Sequence, residues 1–358
     1  MHSKLGPAKA KEWGAKKQKD PQIRFKEYFN DVIFDRLKRE QKDVEKKIIL
    51  IEGDTSLLNL GLSEKDRDRI KDTDLIFHSA ASVRFMENLR FIVNTNIRGT
   101  RDLLLLAQEV TRLKAFVYVS TAYSHCVYNN IEEKFYKLFM KKEDIIRLTE
   151  TLTQDYSNRI PTCIVQSFLV VPTKKEPIVG WINNIYGLTG VTYGSSSGIL
   201  RTLYCNSNLI CDIIPADYVI NNIIAAAWDV AQKRSISQSV NLCSKDNKYL
   251  PDYDEIPVYN SVSSVQRPIT YDTIMHNVAF EGLQVPSKKV LWYASLWYIK
   301  NYYFYIFMTI FLHWIPAIIV DSFLYLSGRK PILLNVYRKI EKFKHVMSFF
   351  SMNEWEFT

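Results

Sequence analysis

The chain has 358 residues, of which 47% are hydrophobic and 24% charged, with 12 Gly and 12 Pro. This composition excludes collagen-like and disordered classes, and the length suits two domains or one large domain with an appendage. The formal net charge is +9, and residues 1–47 carry 14 Lys and Arg against 8 Asp and Glu. Most of the positive charge therefore lies near the N-terminus.

The five cysteines show no CxxC or Cys/His ligand spacing, which argues against a disulfide framework and predicts no metal site. A reducing compartment suits this pattern best. Residues 1–20 are rich in Lys, and we interpret them as a solvated basic tail, with contact to RNA or anionic lipid as the alternative. No apolar stretch follows these charges, so no signal peptide is predicted. Nucleic acid is not an expected partner.

Beyond the tail, short apolar runs alternate with helical patterns. Apolar residues at helical spacing in residues 24–42 predict an amphipathic helix, and those in residues 97–110 predict another. The predicted strands are residues 47–54, 74–82, 113–123 and 161–172. Strands that alternate with helices predict an α/β fold, with a mostly parallel sheet covered by helices on both faces.

In such sheets the ligand lies beyond the carboxyl ends of the strands, so the residues that follow each strand are candidate site residues. Residues 53–54, 78–81 and 120–123 hold these places. Small residues there let a flat cofactor approach the backbone, and a hydroxyl of Ser120 or Thr121 can hydrogen-bond a substrate carbonyl. The alternative is that these residues only suit the turns that any parallel sheet needs.

Several segments resemble a known family. The first four are GDTSLLNLGLS, FHSAASVRF, NTNIRGTRDLL and FVYVSTAY. They resemble the extended short-chain dehydrogenase domain of alcohol-forming fatty acyl-CoA reductases, especially the insect ones. Later stretches such as DIIPADYVINNIIAAAW and GRKPILLNVYRKI resemble the rest of that family. The resemblance therefore runs from about residue 20 to the C-terminus.

This resemblance implies a Rossmann-like, doubly wound α/β reductase domain at residues 21–245 and a helical, membrane-associated C-terminal domain at residues 246–358. It implies that NADPH reduces a long-chain fatty acyl-CoA, through an aldehyde, to a primary alcohol. The expected location is a membrane, that of the endoplasmic reticulum or the peroxisome, with the catalytic domain in the cytosol. By position, Asp54 would read the adenine, and the backbone of Ala80 and Ala81 would lie beside the nicotinamide ribose.

The resemblance also assigns catalytic positions. Asn96 resembles the helix asparagine that supports the site, and Ser120 and Thr121 cover the hydroxyl that polarises the carbonyl, with Thr121 preferred by its place in the motif. The family's tyrosine and lysine, four residues apart on a helix, have no counterpart, because none of the 21 tyrosines is followed by Lys at the fourth position. We expect that helix near residues 151–154 and predict that it is deleted.

Two further departures from the family pattern bear on activity. No glycine lies between Gly14 and Gly53, so the Gly-rich phosphate-binding turn is missing and the sheet is predicted to be incomplete at its N-terminus. Gln166 and Ser167 stand where the resemblance implies Arg and Pro. We therefore expect impaired activity. The sequence is either an incomplete gene model or splice form of an active reductase, or an inactive, membrane-associated relative that acts as an interaction protein.

Near the C-terminus, residues 302–320 contain no Asp, Glu, Lys or Arg. As a helix they would be roughly 28 Å long, close to the ~30 Å hydrocarbon core of a bilayer. Trp292 and Tyr293 lie on the N-terminal side, where an aromatic belt would sit. We predict membrane attachment and leave open whether the segment spans the membrane or inserts at its surface. A predicted basic amphipathic helix at residues 336–350 suits either an anionic membrane surface or packing against the domain.

Overall fold

The computed structural model describes residues 21–83, 87–136, 145–157, 159–243, 256–284 and 290–357, so the predicted tail at residues 1–20 lies outside the described part. Its strands pair in one sheet of four and three sheets of two. In chain order the strands are β1 (Leu75–His78), β2 (Ala115–Thr121), β3 (Asn130–Ile131), β4 (Thr162–Ser167), β5 (Leu169–Val171), β6 (Thr202–Tyr204), β7 (Ile213–Pro215), β8 (Val258–Ser261), β9 (Trp297–Ile299) and β10 (Glu356–Phe357).

The α-helices of the described residues surround these sheets. In chain order they are α1 (Pro21–Phe29), α2 (Asp35–Glu40), α3 (Glu64–Ile70), α4 (Leu89–Ile92), α5 (Gly99–Gln108), α6 (Ile145–Ser157), α7 (Gly187–Ser196), α8 (Ala216–Cys243), α9 (Tyr271–Gln284), α10 (Tyr302–Thr309), α11 (Ile315–Leu326) and α12 (Leu333–Ser351). Short 3₁₀ and π turns join some of them.

The main sheet has the order β1-β2-β4-β8, and every neighbouring pair is parallel. On one face Leu104 of α5 packs with Phe116 and Ile164, and α6 adds partly buried side chains. On the other face Val117 and Val165 pack against α8. Because helices cover both faces of β2 and β4, these two central strands are largely apolar on both sides, as in other parallel sheets, whereas Leu75 and Phe77 of the edge strand β1 are exposed. The predicted parallel α/β sheet with helices on both faces is confirmed.

The predicted strand at residues 47–54 is wrong. The chain leaves a 3₁₀ turn at Lys47 and continues to residue 54 without regular structure, and Ile49 is 69% exposed. A strand needs a neighbour to pair its backbone groups. Within the described residues β1 pairs only with β2, and residues 48–54 pair with no strand. An apolar run without such a neighbour stays irregular.

The other predicted strands are confirmed with changed bounds. Residues 74–82 and 113–123 form the shorter strands β1 and β2. Residues 161–172 divide at Phe168 into β4, in the main sheet, and β5, which pairs with β7 in a separate sheet. The division arises because Phe168 turns into an aromatic cluster with Trp355 and Phe357. Tertiary packing of one ring therefore ends the strand.

The predicted helix at residues 24–42 is broken, because Asp31 accepts a hydrogen bond from Ile33 N (3.0 Å) and starts a 3₁₀ turn between α1 and α2. The predicted helix at residues 97–110 is confirmed and begins earlier. It starts at α4, where Asn88 accepts a hydrogen bond from Arg90 N, and continues through the π turn Val93–Arg98 into α5. Local side-chain capping decides both boundaries.

Near the C-terminus, α10, a π turn and α11 form one continuous helix, Tyr302–Leu326, which is long and apolar enough to cross a membrane by length and composition. We call it the apolar helix. In α12, Met347 is buried, and Ile340 and Phe343 pack against the same cluster, so the amphipathic helix packs against the domain. The proposed boundary at residue 245 remains a prediction, although β8, which follows it, lies in the main sheet.

Candidate active site

The carboxyl ends of the four main strands meet at one edge of the sheet, because all four strands are parallel. The register aligns Ser120 with Gln166, and Gln166 with Asn260. Residues in register point to the same face of a sheet, and their chain neighbours point to the other. Ser120 therefore lies on the face of α5 and α6. Thr121, aligned with Ser167, lies on the face of α8.

The two candidate hydroxyls thus have different surroundings. Thr121 Oγ1 accepts a hydrogen bond from Tyr123 N (3.4 Å) and caps the 3₁₀ turn Ala122–His125. Ser124 Oγ donates to the carbonyl oxygen of Thr121 at 2.8 Å. Both Ser120 and Thr121 are half-buried. The turn-capping role that the sequence left open is present at Thr121, and it leaves the hydroxyl proton of Thr121 available for a ligand.

A cleft of about 370 Å³ opens beside the tip of β1. Its lining residues are Thr55, Ala80, Ala81, Ser82, Phe91 and Thr95. The structure therefore places Ala80 and Ala81 at a cleft, as their predicted cofactor role requires. Asp54 lies next to Thr55 in the chain, and its Oδ1 accepts from Ser56 N at 2.7 Å, so this carboxylate shapes a turn beside the cleft.

Asn96 fixes one wall of this cleft. Its Oδ1 accepts a hydrogen bond from Ser82 N (2.8 Å), and its Nδ2 donates to the carbonyl oxygen of Ser82 (3.1 Å). Asn96 lies in the π turn Val93–Arg98, which packs beside the loop after β1. The side chain predicted to support the site therefore clamps the backbone that lines it, through two bonds to a residue 14 positions away.

Thr95 is a site residue that the sequence reasoning missed. Its side chain is buried and lines the cleft, and its Oγ1 has no hydrogen-bond partner among the described residues. A buried hydroxyl without a partner is unfavourable unless a ligand or water completes it. The motif NTNIRGT could have indicated this position, because Thr95 directly precedes Asn96 in it.

We expect Asn96→Ala to loosen the cleft. Losing two partly buried hydrogen bonds to Ser82 should lower the free energy of unfolding by about 1–3 kcal/mol and weaken nicotinamide cofactor binding about tenfold. Fluorescence titration with NADPH and urea denaturation measure the two effects. Asn94→Ala, in the same helical turn, is the matched control. It should change cofactor affinity by less than about twofold and the free energy of unfolding by less than about 0.5 kcal/mol. Equal cofactor affinity for the parent chain and Asn96→Ala would contradict the clamp.

Two titratable side chains near this edge, His78 and Tyr123, are poor proton donors. His78 is buried, its Nε2 lies 2.8 Å from Thr100 Oγ1, and burial lowers its pKa to about 4. The Tyr123 ring packs between Phe168 and Phe350, and its hydroxyl is buried with no partner among the described residues. Burial raises the pKa of Tyr123 far above its ordinary value. Neither group can exchange a proton readily near neutral pH.

A helix, α6, occupies the place where the family's tyrosine helix is expected, and the deletion of that family element stays a prediction. α6 leads directly into β4, and its Leu152 and Tyr156 pack against the sheet. Its buried positions include Thr149 and Thr153, and Thr153 Oγ1 donates to the carbonyl oxygen of Thr149 at 2.8 Å. The helix carries no tyrosine that is followed by lysine at the fourth position.

The lining of the cleft is uncharged and mostly small. Ala80 and Ala81 add only methyl side chains to the lining, and the Thr95 hydroxyl is buried beside it without a partner among the described residues. None of the lining residues in the described part of the chain is Lys or Arg. Arg98 lies nearby, but its guanidinium donates to the carbonyl oxygen of Ser56. The lining is therefore uncharged and supplies no cation for phosphates.

Residues 14–223 match the NAD-binding family model described as "Male sterility protein", and residues 312–358 match a second model with the same description. The first match covers more than half of the chain. The chain belongs to the male sterility protein family. Its curated relatives are named fatty acyl-CoA reductases, so the family resemblance is confirmed. A nicotinamide cofactor is supported by the NAD-binding match, and no metal-binding group of His, Cys, Asp or Glu occurs within the described ranges.

Two relatives show the extent of the family match. "Fatty acyl-CoA reductase wat" of Drosophila melanogaster is 31% identical over 373 residues, which cover 96% of this chain and 69% of that protein. "Fatty acyl-CoA reductase 1" of Mus musculus is 29% identical over 366 residues, covering 94% of this chain and 68% of that protein. Both matches extend over nearly the whole chain and therefore include both family regions.

Solved structures confirm the fold. The terminal R domain from the myxalamid PKS-NRPS biosynthetic pathway has a TM-score of 0.51 and 20% identity, and the match covers 72% of this chain and 58% of that one. A thiolation-reductase di-domain from an archaeal non-ribosomal peptide synthetase has a TM-score of 0.51 and 16% identity, with 83% and 56% coverage. At these identities the likeness shows the Rossmann-like fold alone.

Proposed function

We propose that this chain binds NADPH and a long-chain fatty acyl-CoA at the carboxyl edge of the main sheet, as a member of the reductase family with impaired turnover. The observation that carries the proposal is the cleft beside β1, with its small Ala80 and Ala81 lining and its Asn96 clamp. The names of the relatives support the acyl-CoA substrate.

Different residues of the chain would orient the cofactor and bind the substrate carbonyl. When bound, the nicotinamide cofactor would supply hydride: a first transfer to the acyl-CoA with release of the CoA thiol would leave an aldehyde, and a second cofactor molecule would reduce the aldehyde to the alcohol. Ala80, Ala81 and Thr95 would orient the ring, while Thr121, or Ser120 as the alternative, would donate a hydrogen bond to the substrate carbonyl oxygen. Such a donor stabilises the negative charge that develops on oxygen as hydride arrives. Asp54, in the turn beside the cleft, would recognise the adenine of the cofactor.

Among the described residues, neither His78 nor Tyr123 is suited to deliver the proton that each reduction step needs. His78 is neutral and buried, and the Tyr123 phenol is shielded from water and has a raised pKa. Loss of a positioned general acid typically lowers a rate by a factor on the order of 10² to 10⁴. We therefore expect turnover to be low even when the cofactor is bound.

The purified chain, with vesicles, NADPH and a long-chain acyl-CoA, should bind NADPH measurably and form no detectable fatty alcohol. Fluorescence titration and mass spectrometry of extracted lipid measure the two quantities, with a no-protein sample as the control. Time-dependent alcohol above that control would refute the impairment. Absence of NADPH binding would refute the cofactor site and favour the alternative function, a membrane-associated interaction protein without catalysis.

A second experiment separates the two hydroxyls. Thr121→Ala should weaken binding of a long-chain aldehyde, measured with NADP⁺ present, about fivefold, because one hydrogen bond contributes about 0.5–1.5 kcal/mol. Ser120→Ala should change it less than about twofold. Thermal unfolding of both variants controls for the turn cap that Thr121 also provides. A larger loss of aldehyde affinity in Ser120→Ala would assign the carbonyl contact to Ser120.

We also propose that the chain is attached to a membrane, with the reductase domain in the cytosol. The apolar helix supports attachment by its length and composition. The relatives' names refer to a lipid-derived substrate. The endoplasmic reticulum and the peroxisome are the compartments that we propose, and fluorescence microscopy of the tagged full chain against markers of both distinguishes them.

A further inference from the structure

The apolar helix is held against the rest of the protein along its whole length. Five of its residues, spaced four apart, are each at most 5% exposed. They are Tyr305, Thr309, His313, Ala317 and Asp321. A regular α-helix has 3.6 residues per turn, so a spacing of four drifts around it. The π turn Ile310–Trp314, whose hydrogen bonds span five residues, widens the helix and keeps the buried residues on one side.

Polar side chains on this buried side bond to the domain. Thr309 Oγ1 lies 3.1 Å from Thr202 Oγ1, and His313 Nε2 accepts from the backbone N of Arg201 (2.9 Å) and of Thr202 (3.3 Å). Near the other end, Asp321 accepts hydrogen bonds from three successive backbone N–H groups at the start of α12. The helix is therefore fastened to the domain in its middle and at its C-terminal part.

The opposite side of the helix is apolar and exposed. In an α-helix, a residue two positions after another is rotated by about 200° around the axis. The side chains two positions from the buried ones therefore lie on the opposite side of the helix. We call them the apolar face: Tyr303, Phe307, Phe311, Ile315, Ile319 and Phe323, which are 39% to 82% exposed. The exposed cations Lys300 and Arg329 flank the helix at its two ends.

We propose that the apolar helix lies in the plane of one membrane leaflet, with the apolar face among the lipid chains, and does not cross the bilayer. The helix is about 37 Å long. To span the bilayer with its buried side still docked, it would have to carry β6 and α12 into hydrocarbon, where their polar groups are strongly disfavoured. In the plane, both flanking cations reach the same layer of anionic headgroups. This inference rests on the proposed membrane attachment.

The orientation is tested with the full-length chain added to sealed vesicles of phosphatidylcholine and phosphatidylserine. Single cysteines are introduced by Lys300→Cys and by Ser327→Cys, one at each end of the apolar helix. A thiol reagent that cannot cross membranes is added outside, and the chain without an added cysteine controls for native thiols. We expect both ends to react in intact vesicles. Reaction of one end only after detergent is added would show a spanning helix and overturn the inference.

Substitutions on the apolar face test the contact itself. Phe307→Asn combined with Phe323→Asn should weaken vesicle binding about a hundredfold, as expected when two buried aromatic side chains are lost. Phe280→Asn, which changes a 57% exposed phenylalanine on α9, is the matched control and should bind within about twofold of the parent. Equal binding of both variants would overturn the inference. Absence of vesicle binding by the parent chain would overturn membrane attachment itself, while NADPH binding tests the reductase site separately.

Discussion

Gly198→Ala should lower the free energy of unfolding by about 2–5 kcal/mol. Gly198 follows α7 with a φ of +73°, a conformation in which an L-residue is disfavoured by about 1–2 kcal/mol. A Cβ there would lie 2.4 Å from the carbonyl oxygen of Trp292 and 2.7 Å from its carbonyl carbon. Backbone atoms cannot move aside as the end of a flexible side chain can, so overpacking adds about 1–3 kcal/mol.

Gly180→Ala provides a matched control for this result. Gly180 has the same φ of +73°, but no other atom of the described residues lies within 4 Å of the position that its Cβ would occupy. This control measures only the cost of placing an L-residue at positive φ, so we expect the free energy of unfolding to fall by about 1–2 kcal/mol. Urea denaturation of both variants, followed by far-UV circular dichroism, measures the difference. Equal losses would show that the loop holding Trp292 shifts without resistance.

The second large effect is expected at Asp321. This buried carboxylate accepts hydrogen bonds from the backbone N of Ile332 (2.9 Å), Leu333 (3.0 Å) and Leu334 (2.8 Å). It therefore caps the N-terminus of α12 from the preceding helix, where a negative charge also suits the helix dipole. Asp321→Ala removes every one of these acceptors, and we expect the free energy of unfolding to fall by about 3–4 kcal/mol.

Two further variants make this result specific. Asp321→Asn keeps one acceptor oxygen and loses the charge, so it should lower stability by about 1–2 kcal/mol. Asp72→Ala removes a carboxylate that is 76% exposed and paired with Arg112 at the surface, and it should cost less than about 1 kcal/mol. Urea denaturation should show the largest loss of stability for Asp321→Ala, a smaller loss for Asp321→Asn and the smallest loss for Asp72→Ala. A neutral Asp321→Ala would show that α12 is held by its apolar contacts alone.

The stability of α12 bears on the candidate site. Its C-terminal Phe350 packs against Tyr123 with ring centroids 4.0 Å apart, and Tyr123 lies two residues after Thr121. At its other end, the same helix receives the Asp321 cap from the apolar helix. α12 thus connects the proposed membrane surface to the edge of the sheet. We expect Asp321→Ala to disturb aldehyde binding as well as folding.

Several features could be predicted from the amino-acid sequence because they depend on local patterns. Runs such as residues 113–123 are apolar on both sides, which indicates a strand buried on both faces, and alternation with helices indicates a parallel sheet. The motif containing Ala80 and Ala81 placed them at a strand tip, and the structure puts a cleft there. Residues 302–320 indicated an apolar helix by composition alone.

The tertiary structure alone decided the rest, because burial depends on which neighbour is in place. Residues 47–54 have the same apolar pattern as β1, yet they form no strand because none of the described strands pairs with them. The Asn96 amide bonds a backbone 14 residues away, and on the buried side of the apolar helix His313 meets Arg201 and Thr202 across more than 100 positions. Such contacts join segments distant in the chain, so no local pattern contains them.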